Sequence, residues 1–132
     1  MLGSGEWAST GVRYLRLRRA TSRLGRDVAA ARVLDLVCAT KGVTRAEVLS
    51  RRRCSRQVVS ARQLAMYLVH ILLGRTYLEV GRLFGRDRTT VSHACARVED
   101  LREDRSAFER DVTAIEAAMA VDADEEASHV AG

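Results

Sequence analysis

Thr76-Tyr77-Leu78-Glu79-Val80-Gly81-Arg82-Leu83-Phe84-Gly85-Arg86-Asp87-Arg88-Thr89-Thr90-Val91-Ser92-His93-Ala94-Cys95 is the stretch on which the reading of the chain turns. It opens with a capping box, in which Thr76 offers its hydroxyl to the backbone N–H three residues on and Glu79 reaches back. Val80, Leu83 and Phe84 fall on one side of the short helix that follows, and Gly85 stops it. Asp87 then caps a second helix, along which Val91, Ala94, Cys95, Val98 and Leu101 recur at helical spacing. A short helix, a tight glycine turn and a longer helix predict a helix-turn-helix. At about 100° per residue, with Val91 pointing inward, Thr89 and His93 face away from the core. Ala96 lies near them, and Thr90 and Ser92 flank that face. These short side chains can hydrogen-bond base edges or touch a thymine methyl. A helix that only had to be soluble would more often carry Glu and Lys there. Arg88 can fork onto guanine O6 and N7, or reach a phosphate. Thr90 sits among helix N-terminal amides, which suits a phosphate. Asp87 is first a cap, and a carboxylate at a groove can also accept from cytosine N4. The rival reading is an ordinary capped helix, because Asp-x-Thr-Thr is good N-terminal chemistry anywhere.

Outward from this pair the same signals repeat. Asp27 caps a helix whose stripe is Ala30, Val33, Leu34, Val37 and Cys38, closed by Gly42. Thr44-Arg45-Ala46-Glu47 is a capping box for a short helix through Leu49. Ser50-Arg51-Arg52-Arg53-Cys54-Ser55-Arg56 breaks the apolar pattern and reads as a basic loop. Ser60-Ala61-Arg62-Gln63 reads as a further box, opening a long central helix with Leu64, Ala65, Leu68, Ile71 and Leu72 inward, and Gly74 stops it. A last helix is expected over about Ser106 to Met119, with Phe108, Val112, Ile115 and Met119 on its stripe. The expected fold is an all-α helical bundle containing a helix-turn-helix and a basic loop. Residues 1–26 are expected to be a disordered basic arm, in preference to a weak amphipathic helix marked by Val12, Leu15 and Leu24; 27–120 are expected to be the helical domain, and 121–132 a frayed acidic tail.

Composition agrees with this reading. The 132 residues have room for one domain plus tails, 47% are apolar, and proline is absent. Of the 22 basic residues only Lys41 is not arginine. The net charge of +5 hides a segregation: residues 1–44 carry +5, residues 45–98 carry +8, and residues 99–132 carry −8. A basic middle of this kind is the usual footprint of a nucleic-acid face, its rival being a solvated arginine-rich surface. No Gly-x4-Gly-Lys-Ser/Thr segment is present, which excludes a P-loop nucleotide site. Cys38, Cys54 and Cys95 are widely spaced and form no Cys-x-x-Cys, so neither a zinc ribbon nor a disulfide framework is suggested. His93 and Cys95 are two apart on a helix and cannot share a face as a nucleophile pair. Cys38 reads as a small core residue, and Cys54 among arginines as a thiol of lowered pKa. No cofactor, metal, nucleotide or membrane partner is expected, and enzyme activity is not. The N-terminus is not a signal peptide, and the chain is expected to be soluble and cytoplasmic.

Ala61-Arg62-Gln63-Leu64-Ala65-Met66-Tyr67-Leu68 and Phe84 to Cys95 resemble the C-terminal DNA-binding domain of DnaA, the bacterial replication initiator. That family reads Arg-Gln-x-Ala-Met-x-Leu and then Gly-Arg-Asp-His-Thr-Thr-Val-x-His-Ala. The resemblance covers roughly residues 29–119 and implies a Trp-repressor-like all-α fold that binds double-stranded DNA. Carried over by position, it implies that Asp87, Arg88 and Thr89 face bases and that Leu78 approaches one. It implies that Arg62, Gln63, Thr90 and His93 face the backbone and that Arg53 enters the minor groove. His70 stands where the family has a basic residue that contacts the backbone. Arg88 replaces the family's usual histidine, Ala61 and Leu78 replace prolines, and the basic loop is one residue longer. Gly85 stands where two glycines are usual, and one residue fewer would rotate the start of the reading helix by about 100° unless the turn compensates. The expected protein is a free-standing paralogue without the initiator's ATPase module, acting in replication initiation or transcription. The rival functions are a modulator of the full-length initiator with secondary DNA contact, and a nonspecific nucleoid-associated protein.

Overall fold

The computed structural model describes residues 23–52, 55–104 and 106–131, and among them helices are the only regular structure. In chain order these are α1 (Val28–Lys41), α2 (Arg45–Leu49), α3 (Arg56–Leu73), α4 (Tyr77–Phe84), α5 (Arg88–Asp104) and α6 (Ser106–Ala131). Their ends follow from local chemistry. The Asp27 carboxylate accepts the Ala30 N–H at 3.1 Å and so caps α1. At the other end Gly42 takes the left-handed conformation with φ 68°. Thr44–Glu47 and Thr76–Glu79 both close as reciprocal capping boxes.

The central helix departs from expectation. It begins at Arg56, and its cap is Ser55, whose hydroxyl accepts the Val58 N–H at 3.3 Å. The Ser60 box does not open it. Ser55 offers the same chemistry more than a turn earlier, and starting there buries Val58 as well as Ala61. From Leu64 to Val69 every side chain of α3 is buried. A helix buried all round must be covered on several sides, and α3 packs against α1, α2, α4 and α5. Ile71, expected inward, is 47% exposed, because the last turn of α3 emerges from this cover.

Both ends also differ from expectation. Residues 1–22 of the expected arm lie outside the described residues, but residues 23–26 are helical and Leu24 is wholly buried, so the folded unit begins before residue 27. The last helix continues past Met119 to Ala131. Its alanines and glutamates favour helix, and neither Gly nor Pro stands before Gly132 to stop it. This acidic helix is tied back to the bundle. Lys41 pairs with Asp111 at 3.1 Å and lies over the Phe108 ring. Arg102 forks onto both oxygens of Glu109 at 2.8 Å and donates to the Tyr67 hydroxyl, which itself donates to Glu99. The polar end of buried Tyr67 is thus satisfied where α3, α5 and α6 meet.

A second tie closes the other end. Arg75, between α3 and α4, grips both oxygens of Asp27 at 3.0 and 3.2 Å. Hydrogen bonding from Arg75 outweighs burial and holds the Asp27 carboxyl below the usual carboxylate range. A depressed folded-state pKa stabilises the protein above the unfolded value, and that contribution is lost as pH falls through the folded one. Asn caps helices about as well as Asp, so Asp27→Asn isolates the ion pair. The variant should be less stable than the parent by about 1 kcal/mol at pH 7. Thermal melts at descending pH should show that gap closing below about pH 4; a gap that stays constant would refute the assignment.

Candidate nucleic-acid interface

The helix-turn-helix is tight because two glycines let it be. Gly85 ends α4 with φ 67°, and the Arg86 N–H returns to the Gly81 carbonyl at 2.8 Å. A β-carbon on Gly81 would lie 2.5 Å from the Arg86 carbonyl oxygen. Only Arg86 and Asp87 then remain outside helix before α5, and the Asp87 carbonyl accepts the Val91 N–H at 3.1 Å. Val91, Ala94, Cys95 and Val98 are buried, while Thr89, Thr90, His93 and Ala96 are exposed. The one-glycine turn therefore compensates for its missing residue, and α5 presents the face read from its periodicity.

The expected contact residues fall into three groups. Asp87, Arg88, Thr89, Thr90 and His93 form the exposed start of α5, and Leu78 stands 49% exposed on the first turn of α4. Gln63 is half-buried on α3 and lines, with Arg62, Met66, Arg86, Thr90 and His93, a cleft of about 240 Å3 between α3 and α5. Arg53 lies outside the described residues, as does Cys54, so the expectations for the tip of the basic loop end there.

Arg62 stands apart from the others. Its Nε donates to the Val48 carbonyl at 2.7 Å, and a terminal nitrogen reaches the carbonyls of Ser50 at 3.2 Å and Glu47 at 3.4 Å. They lie at the C-terminal end of α2, where helix carbonyls run short of backbone donors; the Glu47 carbonyl also accepts the Ser50 N–H at 3.2 Å. The end of α4 makes the same demand. Arg86 donates to the Phe84 carbonyl at 3.2 Å and to the Ser50 carbonyl at 2.8 Å, and Arg51 donates to the Gly85 carbonyl. The Arg52 N–H closes onto the Ser50 hydroxyl at 3.0 Å. Two helix C-termini, each the negative end of a helix dipole, meet here, and arginines from the loop, the turn and α3 cross-link them. Sequence reading assigned Arg53 of the loop and Arg62 to DNA, gave Arg51 and Arg52 no individual role, and passed over Arg86. The available signal was that short helices ending beside arginine-rich segments need donors.

Two other residue sets resolve plainly. His70 turns its Nδ1 to the Arg75 carbonyl at 2.7 Å, so that nitrogen carries the proton, and its ring packs against Tyr77. It supports the α3–α4 connection. Burial pushes the Cys95 thiol up to about 11, and Cys38 is raised by the same cause, as expected of core thiols. Among the described residues no group of His, Cys, Asp or Glu could hold a metal ion, and no helix is long and apolar enough to cross a membrane. Arg23 and Arg26, expected in the arm, instead line with Arg75 and Arg82 an open cleft of about 590 Å3.

Comparison with known proteins agrees with this geometry. Residues 30–98, from α1 through most of α5, match the family described as "Bacterial dnaA protein helix-turn-helix". The chain is 40% identical over 116 residues to the chromosomal replication initiator protein DnaA of Sphingopyxis alaskensis, covering 82% of this chain and 25% of that protein. It is 52% identical over 60 residues to the DnaA of Agrobacterium fabrum, covering 45% of this chain and 12% of that protein. Against the DnaA of Caulobacter vibrioides it is 46% identical over 72 residues, covering 54% of this chain and 14% of that protein. The chain thus spans a quarter or less of the length of these relatives. With its all-α fold, its helix-turn-helix and this match over more than half its length, the chain belongs to the family of bacterial DnaA DNA-binding helix-turn-helix domains.

Proposed function

We propose that this chain binds double-stranded DNA with sequence choice, placing the start of α5 in the major groove. Asp87, Arg88 and Thr89 read base edges, with Leu78 touching a base from α4. Gln63, Thr90 and His93 hold the backbone, and Arg53 carries the loop's contact. Arg62 sets the base of the loop while its charge faces the strands. The observation that carries this reading is the exposed, short and polar first turns of α5, anchored from behind by wholly buried Val91 and Val98. Such a surface gives a helix little stability of its own and fits a groove wall. The relatives' role as chromosomal replication initiators suggests the setting, in which this chain shares or competes for initiator sites.

Selection of bound duplexes from a random pool, followed by titration at rising salt, tests the proposal. One sequence class should be enriched, and log affinity should fall with log salt at about −0.9 per phosphate contacted. Thr89→Ala should relax the preference at one or two positions, costing about 1–3 kcal/mol of discrimination there, with little change in melting temperature. Unchanged affinity and preference in that variant would refute the reading-helix assignment. Equal weak binding to selected and scrambled duplexes would favour a modulator of the full-length initiator. The in-chain pairing of Glu99, Glu109 and Asp111 already occupies part of the acid such a modulator would present. Loss of all binding on deleting residues 1–22, which leaves buried Leu24 in place, would point to nonspecific coating of the nucleoid.

A further inference from the structure

The arginines around Ser50 are arranged unequally. Arg62 reaches carbonyls at and just beyond the end of α2, and Arg51 reaches the Gly85 carbonyl. Arg86 spans the two helix ends with one guanidinium: one terminal nitrogen on Phe84, the last residue of α4, the other on Ser50, the root of the basic loop. Its position in sequence fixes the consequence. Arg86 is the first residue after the glycine that ends α4 and the second before the first residue of α5, so whatever it holds is held relative to the start of α5. The Ser50 carbonyl accepts from both Arg86 and Arg62, which joins the loop root to the turn and to α3 at one atom.

We propose that Arg86 is a positioning residue for DNA reading: its fork sets the basic loop relative to the start of α5, so that both elements meet a duplex in one register. This rests on the DNA-reading function proposed above. The planar guanidinium is what the geometry requires, because two carbonyls on different segments need two donors at fixed separation. A lysine ammonium keeps the charge but not the fork. The α4–α5 angle is held by Gly81, Gly85 and the buried side of α5 as well.

Arg86→Lys and Arg86→Gln test this on the whole chain. Both should fold. Amide exchange at Arg51 and Arg52 in the free protein should quicken about tenfold or more in both variants, which needs no DNA. On duplexes selected by the wild type, preference at positions sensitive to Thr89→Ala should survive in both variants. Preference at the remaining positions should drop about tenfold. The salt slope of Arg86→Lys should match the parent. The proposal is overturned if loop exchange is unchanged in both variants. It is also overturned if Arg86→Gln weakens all duplexes alike, makes the salt slope shallower by about 0.9, and Arg86→Lys restores both. That second pattern belongs to a phosphate ligand. A wild-type protein that selects no sequence defeats the DNA-reading function itself, and that result is obtained before any variant is made.

Discussion

Gly81→Ala should lower the melting temperature by about 10 °C, a loss of about 2 kcal/mol for a domain of this size. The sign is what makes the expectation sharp. Gly81 lies inside α4, and alanine is favoured over glycine in a helix interior by about 1 kcal/mol, so propensity alone predicts a gain. The β-carbon would, however, sit 2.5 Å from the Arg86 carbonyl oxygen. That oxygen belongs to backbone, so relief requires moving the turn, and with it the start of α5. Gly25 provides the control: it lies in the helical stretch before Asp27, and a β-carbon there meets nothing within 4 Å. Gly25→Ala should be neutral or stabilising. DNA selectivity of Gly81→Ala should fall along with its stability, because the reading face moves. A Gly81→Ala protein that melts at or above the parent temperature would show that the close approach is not a constraint.

Arg62→Ala should be nearly as damaging, and in two separable ways. The substitution removes a charged donor from the carbonyls of Val48, Glu47 and Ser50, and hydrogen bonds to charged groups contribute about 1.5–3 kcal/mol. We expect a loss of about 2 kcal/mol in chemical denaturation and faster amide exchange through Ser50, together with weaker binding to all duplexes. Resemblance alone, which assigns this residue to the DNA backbone, predicts only the last effect. A variant with wild-type stability and uniformly weakened binding would make Arg62 a phosphate ligand and nothing more.

Much of the fold was legible because its signals are local. Thr44–Glu47 and Thr76–Glu79 close as boxes since both partners of each lie within one turn. Gly42, Gly74 and Gly85 stop helices since each takes a positive φ. The inward row of α5 could be read from its period alone. The start of α3 was misjudged because two serines, Ser55 and Ser60, offer the same cap chemistry, and burial of Val58 decided between them. Ile71 was misjudged because a stripe says which side of a helix is apolar but not where its cover ends. Leu24 was assigned to an arm because the arginines around it outweighed the weak amphipathic pattern it makes with Val12 and Leu15, although its burial places it in the core.

By itself, then, the order of residues determined most of the helices, the Thr44 and Thr76 capping boxes and the outward face of α5, since each depends on contacts within a few positions of the chain. Tertiary structure alone decided that two helix C-termini meet, that Arg51, Arg62 and Arg86 are drawn to their carbonyls, and that Gly81 must stay bare against the turn. The arginine contacts join residues 12 to 36 apart, and Gly81 meets the Arg86 carbonyl only once the turn has folded back on α4. A sequence pattern records that an arginine is present, but which acceptor it faces is set only when distant backbone is brought beside it.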